Sequence, residues 1–497
     1  MSEQKTRNRW LIVIGALLVQ LCLGAIYAWG TFTKDLQNQD ADVAMCLSPD
    51  LLGVTDKAQC QAAKARYDDL SAAVRQAQES KNPAALTEAK SSLAEFKKSL
   101  DKEWIGKTFD RTSFGKQVFG FSAKQSQAIF AVGLASFAIM MILAGRWQDK
   151  QGPRKIAVIG GLTLGAGYLL AGLLGGTSFI AMLIFVGLIG GAGIGLGYVC
   201  PIAACVKWFP DMKGFITGIA VAGFGAGAFI FIKLAGDWLH LISDYGISGT
   251  FIIFGIIFAV FVTLGGLLLT NPPPGWKPAG WNPPAAAAKK AVKNLTQGQI
   301  IGTTQFWMIW LAFVFSAACG LMVIGCLKDF GQKEGGLTLA AASSAIGLLA
   351  LFNGAGRIVW GTVSQKIGPR FSLAIMAALQ ALMMFALSGM GSSTLKLAIA
   401  GCWIGFNFGG NFALFPLLTL ENFGSKNLGA NYGAVFTAYG LGGILGPILA
   451  GSVWDAFSTY KIAFTIAACV CVAACVIALL LRPIKAPADE PAATQAA

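Results

Sequence analysis

Charge and histidine are what this sequence has least of. Only 12% of its 497 residues are Asp, Glu, Lys or Arg, and His240 is the single histidine. A soluble domain carries roughly twice that charged fraction, because its surface must be wetted. No cysteines stand at metal-ligand spacing, so with one histidine a metal centre is not expected. No nucleophile or acid/base cluster is visible either, so neither an enzyme nor a cofactor is expected.

What is present is apolar: 55% hydrophobic residues and 62 glycines, with a mean hydropathy of +0.63. Runs such as WLIVIGALLVQLCLGAIYAWGTF and IAFTIAACVCVAACVIALLL have the roughly 20 residues that cross a 30 Å hydrocarbon core at 1.5 Å per residue. Inside lipid each backbone group must be satisfied within its own segment, so these runs are helices. The pattern predicts an all-α polytopic membrane protein with twelve spans, near 10–33, 123–144, 156–176, 179–204, 214–236, 248–270, 304–328, 338–360, 371–391, 395–419, 429–450 and 461–481. The first run has no small-residue cleavage site behind it and is read as a retained helix.

Lysine and arginine gather in alternate loops. They mark the N-terminal tail (Lys5, Arg7, Arg9), the 2/3 loop (Arg146, Lys150, Arg154, Lys155), the 4/5 loop (Lys207, Lys213), the linker, the 8/9 loop and the tail after Arg482. Both termini are therefore expected in the cytoplasm of a bacterial inner membrane, and the net charge of +14 reads as this bias plus attraction to lipid headgroups, not nucleic-acid binding. Two polar pieces interrupt the spans. Residues 271–303 are rich in proline and lysine and link two halves: residues 1–33 with 123–270, and residues 304–482, followed by a tail at 483–497. Residues 34–122 form an extracytoplasmic insertion whose composition favours helix, broken at Pro83. A small helical hairpin over the outer entrance and a spacer with fraying helices both fit. Cys46 and Cys60, the two cysteines outside the spans, could form a disulfide there.

One short charged turn occurs twice. GRWQDKQGPRK starts at Gly145, and GTVSQKIGPR starts at Gly361. A second pair, YVCPIAACVKWFPDMKGFITG and FALFPLLTLENFGSKNLGANYG, repeats at a similar offset. Two similar six-helix halves about an axis along the membrane normal suit alternating access at their interface. In each turn glycine lets helices approach and Gly-Pro forces a reversal. Gly145, Asp149, Gly152 and Arg154 are the gate candidates of the first copy, and Gly361, Gly368 and Arg370 those of the second. Asp149 can accept from a neighbouring helix N-terminus; the second copy has no carboxylate there. The alternative is that these charges only anchor the loops at the headgroups.

The first turn resembles the loop 2/3 signature of the major facilitator superfamily, roughly G-x-x-x-D-[RK]-x-G-[RK]-[RK]. Within it, GAIYAWGTF, LFNGAGRIVWG and NYGAVFTAYGLGGILGP resemble the oxalate/formate antiporter family. That resemblance implies exchange or uptake of small carboxylates such as oxalate, formate, lactate or pyruvate, by a secondary transporter. Proton-coupled monocarboxylate carriers resemble the stretch around Arg357 but have an aspartate where Asn353 stands here, which favours exchange over proton symport. The oxalate carrier has a lysine at what looks like the position of Tyr439.

An ionised group within a span must face a cavity and meet a partner. Arg357 is the best such residue, and its planar fork matches one carboxylate. Its nearness to the end of span 8 leaves snorkelling open. A lone cation favours a monoanion, since a second carboxylate would stand unpaired in low dielectric. Lys233, four residues before Asp237, is expected to pair locally. Walls for a small acid could come from Tyr27, Tyr198, Tyr432, Tyr439, and Trp403 with Asn407, which share a face at i, i+4. Gln20, an amide in mid-span, needs a partner. The glycine runs of spans 4 and 5 are expected to be close-packing faces. The expected partners are a small carboxylate and the bilayer, with the chain a monomer. A sensor using the insertion as receptor is the rival of another class.

Overall fold

Every regular element among the described residues is helical. The computed structural model describes residues 8–36, 65–66, 69–70, 72–74, 76–77, 80, 83–103, 121–175, 178–273, 275–282, 294–482 and 484. Among the described residues, twelve helices are long and apolar enough to cross a membrane. Spans 1 to 6 are Trp10–Thr33, Gln125–Gln151, Pro153–Leu174, Phe179–Trp208, Lys213–Gly236 and Asp244–Leu268. Spans 7 to 12 are Thr304–Glu334, Ser344–Ile367, Pro369–Leu387, Thr394–Phe423, Leu428–Phe457 and Lys461–Leu480. An even number of crossings returns the chain to the face where span 1 begins, called here the terminal face.

Spans 2 and 8 run further than expected, through their charged turns to Gln151 and Ile367. Charge does not end a helix; a residue that must leave helical φ does. Gly152 at φ 86° and Gly368 at φ 83° make those breaks, each followed by a proline at the first position of the next helix. On the opposite face, span 2 starts in a capping box: Ser122 Oγ accepts from the Gln125 amide, and Gln125 Oε1 accepts from the Ser122 amide.

The packing has two equivalent halves. In the first, span 1 packs on spans 4, 5 and 6, and span 3 on span 6; in the second, span 7 packs on spans 10, 11 and 12, and span 9 on span 12. The halves meet along two seams, span 2 with span 11 and span 5 with span 8. These pairs exchange under the two-fold relation that the repeated turns imply. Pro201 and Pro416 lie inside spans 4 and 10 at corresponding places. The glycines of span 4 are packing surfaces for span 3: a Cβ on Gly160 of span 3 would lie 2.7 Å from the nitrogen of Gly197 in span 4.

The ends of the insertion meet, with the Phe121 amide donating to Leu36 O at 2.8 Å. Within it a helix starts at the proline, Pro83–Glu103, and Phe96 of that helix lies under the Arg66 guanidinium at 5.4 Å. Cys46 and Cys60 lie outside the described residues, as does the Asp237 side chain expected to pair with Lys233.

Candidate functional site

Extension of span 8 to Ile367 puts Arg357 ten residues, about 15 Å, inside the helix end. It is 0% exposed, so it does not snorkel. Its Nε and Nη2 donate to Asn353 Oδ1 at 3.0 and 2.9 Å, and Nη1 donates to the Val221 carbonyl of span 5 at 2.8 Å. The guanidinium stacks on Phe412 of span 10 at 4.2 Å and lies 5.5 Å from the Phe224 ring. Among the described residues it has no carboxylate partner, and two of its five N–H groups have none at all. The charge thus stands at the interface of the halves, held by dipoles and rings. The first half has Met141 at the corresponding place: the backbone around Met141 packs on Gly433, as that around Arg357 packs on Gly218.

Four tyrosines surround this cation, and all four hydroxyls lie within its electrostatic reach. Tyr27 and Tyr439 are hydrogen-bonded to each other, joining span 1 of one half to span 11 of the other. Tyr198 and Tyr432 are fully buried with their hydroxyls within interaction range of each other, and neither makes a well-formed hydrogen bond among the described residues. Phenylalanines fill the gaps: Phe137 and Phe436 lie 5.2 and 5.3 Å from the Tyr198 ring. Gln20, 0% exposed, donates to the Tyr198 carbonyl at 3.0 Å and so braces span 1 against span 4.

Two expected wall residues lie elsewhere. Trp403 is 37% exposed and donates to Leu379 O, on the seam of spans 9 and 10. Asn407 accepts from Trp360 Nε1 at 3.2 Å and donates to Gln380 at 3.0 Å, tying spans 8, 9 and 10 together inside the second half. They do share a helix face, but it is turned away from Arg357. The face toward Arg357 carries Phe412, which the sequence reading did not single out.

The seams close toward the terminal face, glycine against glycine. A Cβ on Gly145 would run into the carbonyl of Gly429, and one on Gly361 would lie 2.5 Å from Gly214 O. At the first seam, Asp149 Oδ2 accepts from the Ala430 amide at 2.8 Å and Oδ1 from the Gly429 amide at 3.3 Å. These are the second and third residues of span 11, whose free amides and helix dipole favour a carboxylate. The linker joins this cluster: Gln297 accepts from Arg146 and donates to Ala430 O at 2.9 Å. At the second seam Ser364 and Gln365 face Gly214 where the first has Gln148 and Asp149. Two gate candidates fall outside the seams. Arg154 is exposed at the start of span 3, and Arg370 donates to Ala478 O and Leu479 O, capping the end of span 12 within its own half. A further unexpected tie is Arg9 on Asp211, a two-pronged pair at 2.8 and 3.0 Å.

Two six-helix halves that meet at glycine seams around a buried cation define a multi-pass membrane transporter. The profile of the family described as Major Facilitator Superfamily matches residues 111–447, and the chain belongs to that family. The chain is 32% identical over 335 residues to the uncharacterized MFS-type transporter YhjX of Escherichia coli (strain K12), covering 65% of this chain and 78% of that protein. It is 27% identical to the oxalate:formate antiporter of Oxalobacter formigenes, covering 71% and 81%. It is 25% identical to apicoplast pyruvate carrier 1 of Toxoplasma gondii, covering 94% and 86%. The fold is similar to that of the human organic anion transporter MFSD10, with a TM-score of 0.61 at 12% identity, covering 95% of this chain and 100% of that one.

Proposed function

We propose that the protein exchanges small monocarboxylate anions across the cell membrane by alternating access, as a monomer with both termini in the cytoplasm and Arg357 as the carboxylate ligand. One observation carries this reading. Arg357 is a fully buried guanidinium at the interface of the halves, with neutral partners only and two free N–H groups. A charge so placed calls for an anion, and the fork offers two parallel hydrogen bonds to one carboxylate. The names of the relatives agree in chemistry, since oxalate, formate and pyruvate are all small carboxylates. Exchange is favoured because Asn353, the side chain on the guanidinium, is an amide and cannot take up a proton. Counterflow in proteoliposomes with labelled C1–C4 acids is the test. Internal monocarboxylate should accelerate uptake of external monocarboxylate; no counterflow with any acid overturns the proposal.

Two variants probe the parts. Asp149→Asn places an amide where two backbone donors need an acceptor. It weakens the closed terminal seam by about 1.5–3 kcal/mol, the value of hydrogen bonds to a charged group. Turnover should fall about tenfold or more with substrate affinity little changed; unchanged turnover would remove Asp149 from the gate. Tyr439→Lys sets a second cation in the site, since Tyr439 is 1% exposed and within reach of Arg357. The oxalate-to-lactate preference, read by competition against one labelled substrate, should rise at least about tenfold, a shift of 1.4 kcal/mol. A constant ratio would withdraw the argument that one cation selects monoanions.

A further inference from the structure

Tyr198 and Tyr432 hold two under-used hydroxyls of the site. Each side chain is 0% exposed; the two hydroxyls lie within interaction range of each other, and neither makes a well-formed hydrogen bond among the described residues. Buried phenols nearly always find one, because an unmade bond in the interior is costly. The rings are wedged: Tyr198 lies 5.2 Å from both Phe137 and Phe224, and Tyr432 lies 5.7 Å from Phe436. The two hydroxyls come from opposite halves, on spans 4 and 11, and both lie within reach of the guanidinium.

We infer that Tyr198 and Tyr432 together grip a neutral acceptor oxygen beside the bound carboxylate, making the site selective for 2-oxo acid monoanions. The inference rests on the carboxylate reading of Arg357. A keto oxygen has two lone pairs and no hydrogen, so it can accept one bond from each half at once. A 2-hydroxy acid can accept as well, but must place its own proton. A plain alkanoate has no third oxygen and leaves both phenols unmade. Oxalate would bring acceptors with a second charge and no second cation. A site that hydrogen-bonds a substrate group discriminates against the analogue that lacks it more sharply than an apolar pocket does. Because each half supplies one hydroxyl, the same oxygen also draws spans 4 and 11 together when substrate is bound.

The test compares three acids of one size: pyruvate, lactate and propanoate, each competing with labelled pyruvate in counterflow. Wild-type protein should favour pyruvate over propanoate by about 25-fold, at about fivefold for each hydroxyl. Tyr198→Phe and Tyr432→Phe should each reduce that ratio to about 5, and the double variant to about 1. Lactate should fall between the other two acids. Competition by propanoate in the same vesicles reports that a variant is folded. A wild-type ratio near 1 overturns the inference without any variant, and so does an unchanged ratio in the double variant. Arg357→Gln separates the two readings. It should lose all three acids alike, whereas loss of the ratio with Arg357 still required would remove the 2-oxo preference and leave the carboxylate grip.

Discussion

Arg357→Gln should give a folded protein that no longer holds carboxylates. The wild-type guanidinium has no counter-charge among the described residues, so the pair it forms with an incoming carboxylate is the main charge compensation in the site. Removing one partner of a buried, hydrogen-bonded pair weakens binding by about 2–5 kcal/mol, which takes exchange to background. Arg357→Lys keeps the charge but not the planar fork. It also loses the stacking on Phe412 at 4.2 Å and the shared grip on Asn353 Oδ1. An intermediate loss of about 1.5–3 kcal/mol follows, the value of charge-assisted hydrogen bonds. Stability moves the other way. A buried charge without a partner opposes folding, so Arg357→Gln should unfold at the same temperature as wild type or a higher one. Binding and thermal unfolding measured on the same preparations separate a ligand from a structural residue. Wild-type exchange in Arg357→Gln would end the site assignment. A large drop in unfolding temperature would make Arg357 a packing residue.

Much of this site is legible in the sequence because charge inside a span is rare enough to be informative. Arg357 stands out in span 8 for that reason, and Asp149 stands out because a carboxylate near a repeated Gly-Pro turn invites a helix N-terminus. Helix rotation is harder to read. Trp403 and Asn407, and Phe408 and Phe412, are both i, i+4 pairs on span 10, and nothing in their spacing says which faces Arg357. Only the packing of spans 8 and 9 against Asn407 decides it. Hydropathy also truncates a helix whose last turns are charged, so span 8 reads too short and Arg357 too shallow. Arg154 and Arg370 occupy repeated positions, yet repetition fixes only the turn. Arg370 goes to the end of span 12 because that helix presents free carbonyls beside it. The tie from Arg9 to Asp211 and the place of Gln297 in the seam depend on contacts across 202 and 133 residues. No local pattern announces them.

The closed terminal seam makes the second large prediction. Gly145→Val should stop exchange while leaving the Arg357 site able to bind. The new Cβ would meet Gly429 O and C and the Ala430 nitrogen. All three are backbone atoms of span 11, a helix of 30 residues that also contacts span 7. No side chain can step aside, so spans 2 and 11 must separate, and Asp149 then loses the two amides it accepts from. Overpacking costs about 1–3 kcal/mol even where neighbours can shift. With about 1.5–3 kcal/mol lost at Asp149, the state closed at the terminal face falls in population by about a hundredfold or more. Cys200 reports the change, because it is 0% exposed and lies within electrostatic reach of Asp149. In a protein with Cys200 as its sole cysteine, a membrane-impermeant maleimide added from the terminal face should react slowly. In the Gly145→Val background it should react at least about tenfold faster, while labelled substrate still binds with an affinity that depends on Arg357. Gly361→Val, where a Cβ would lie 2.5 Å from Gly214 O, should act in the same direction at the second seam. Exchange at the wild-type rate in Gly145→Val, with Cys200 still protected, would mean that the glycine contact between spans 2 and 11 does not control access.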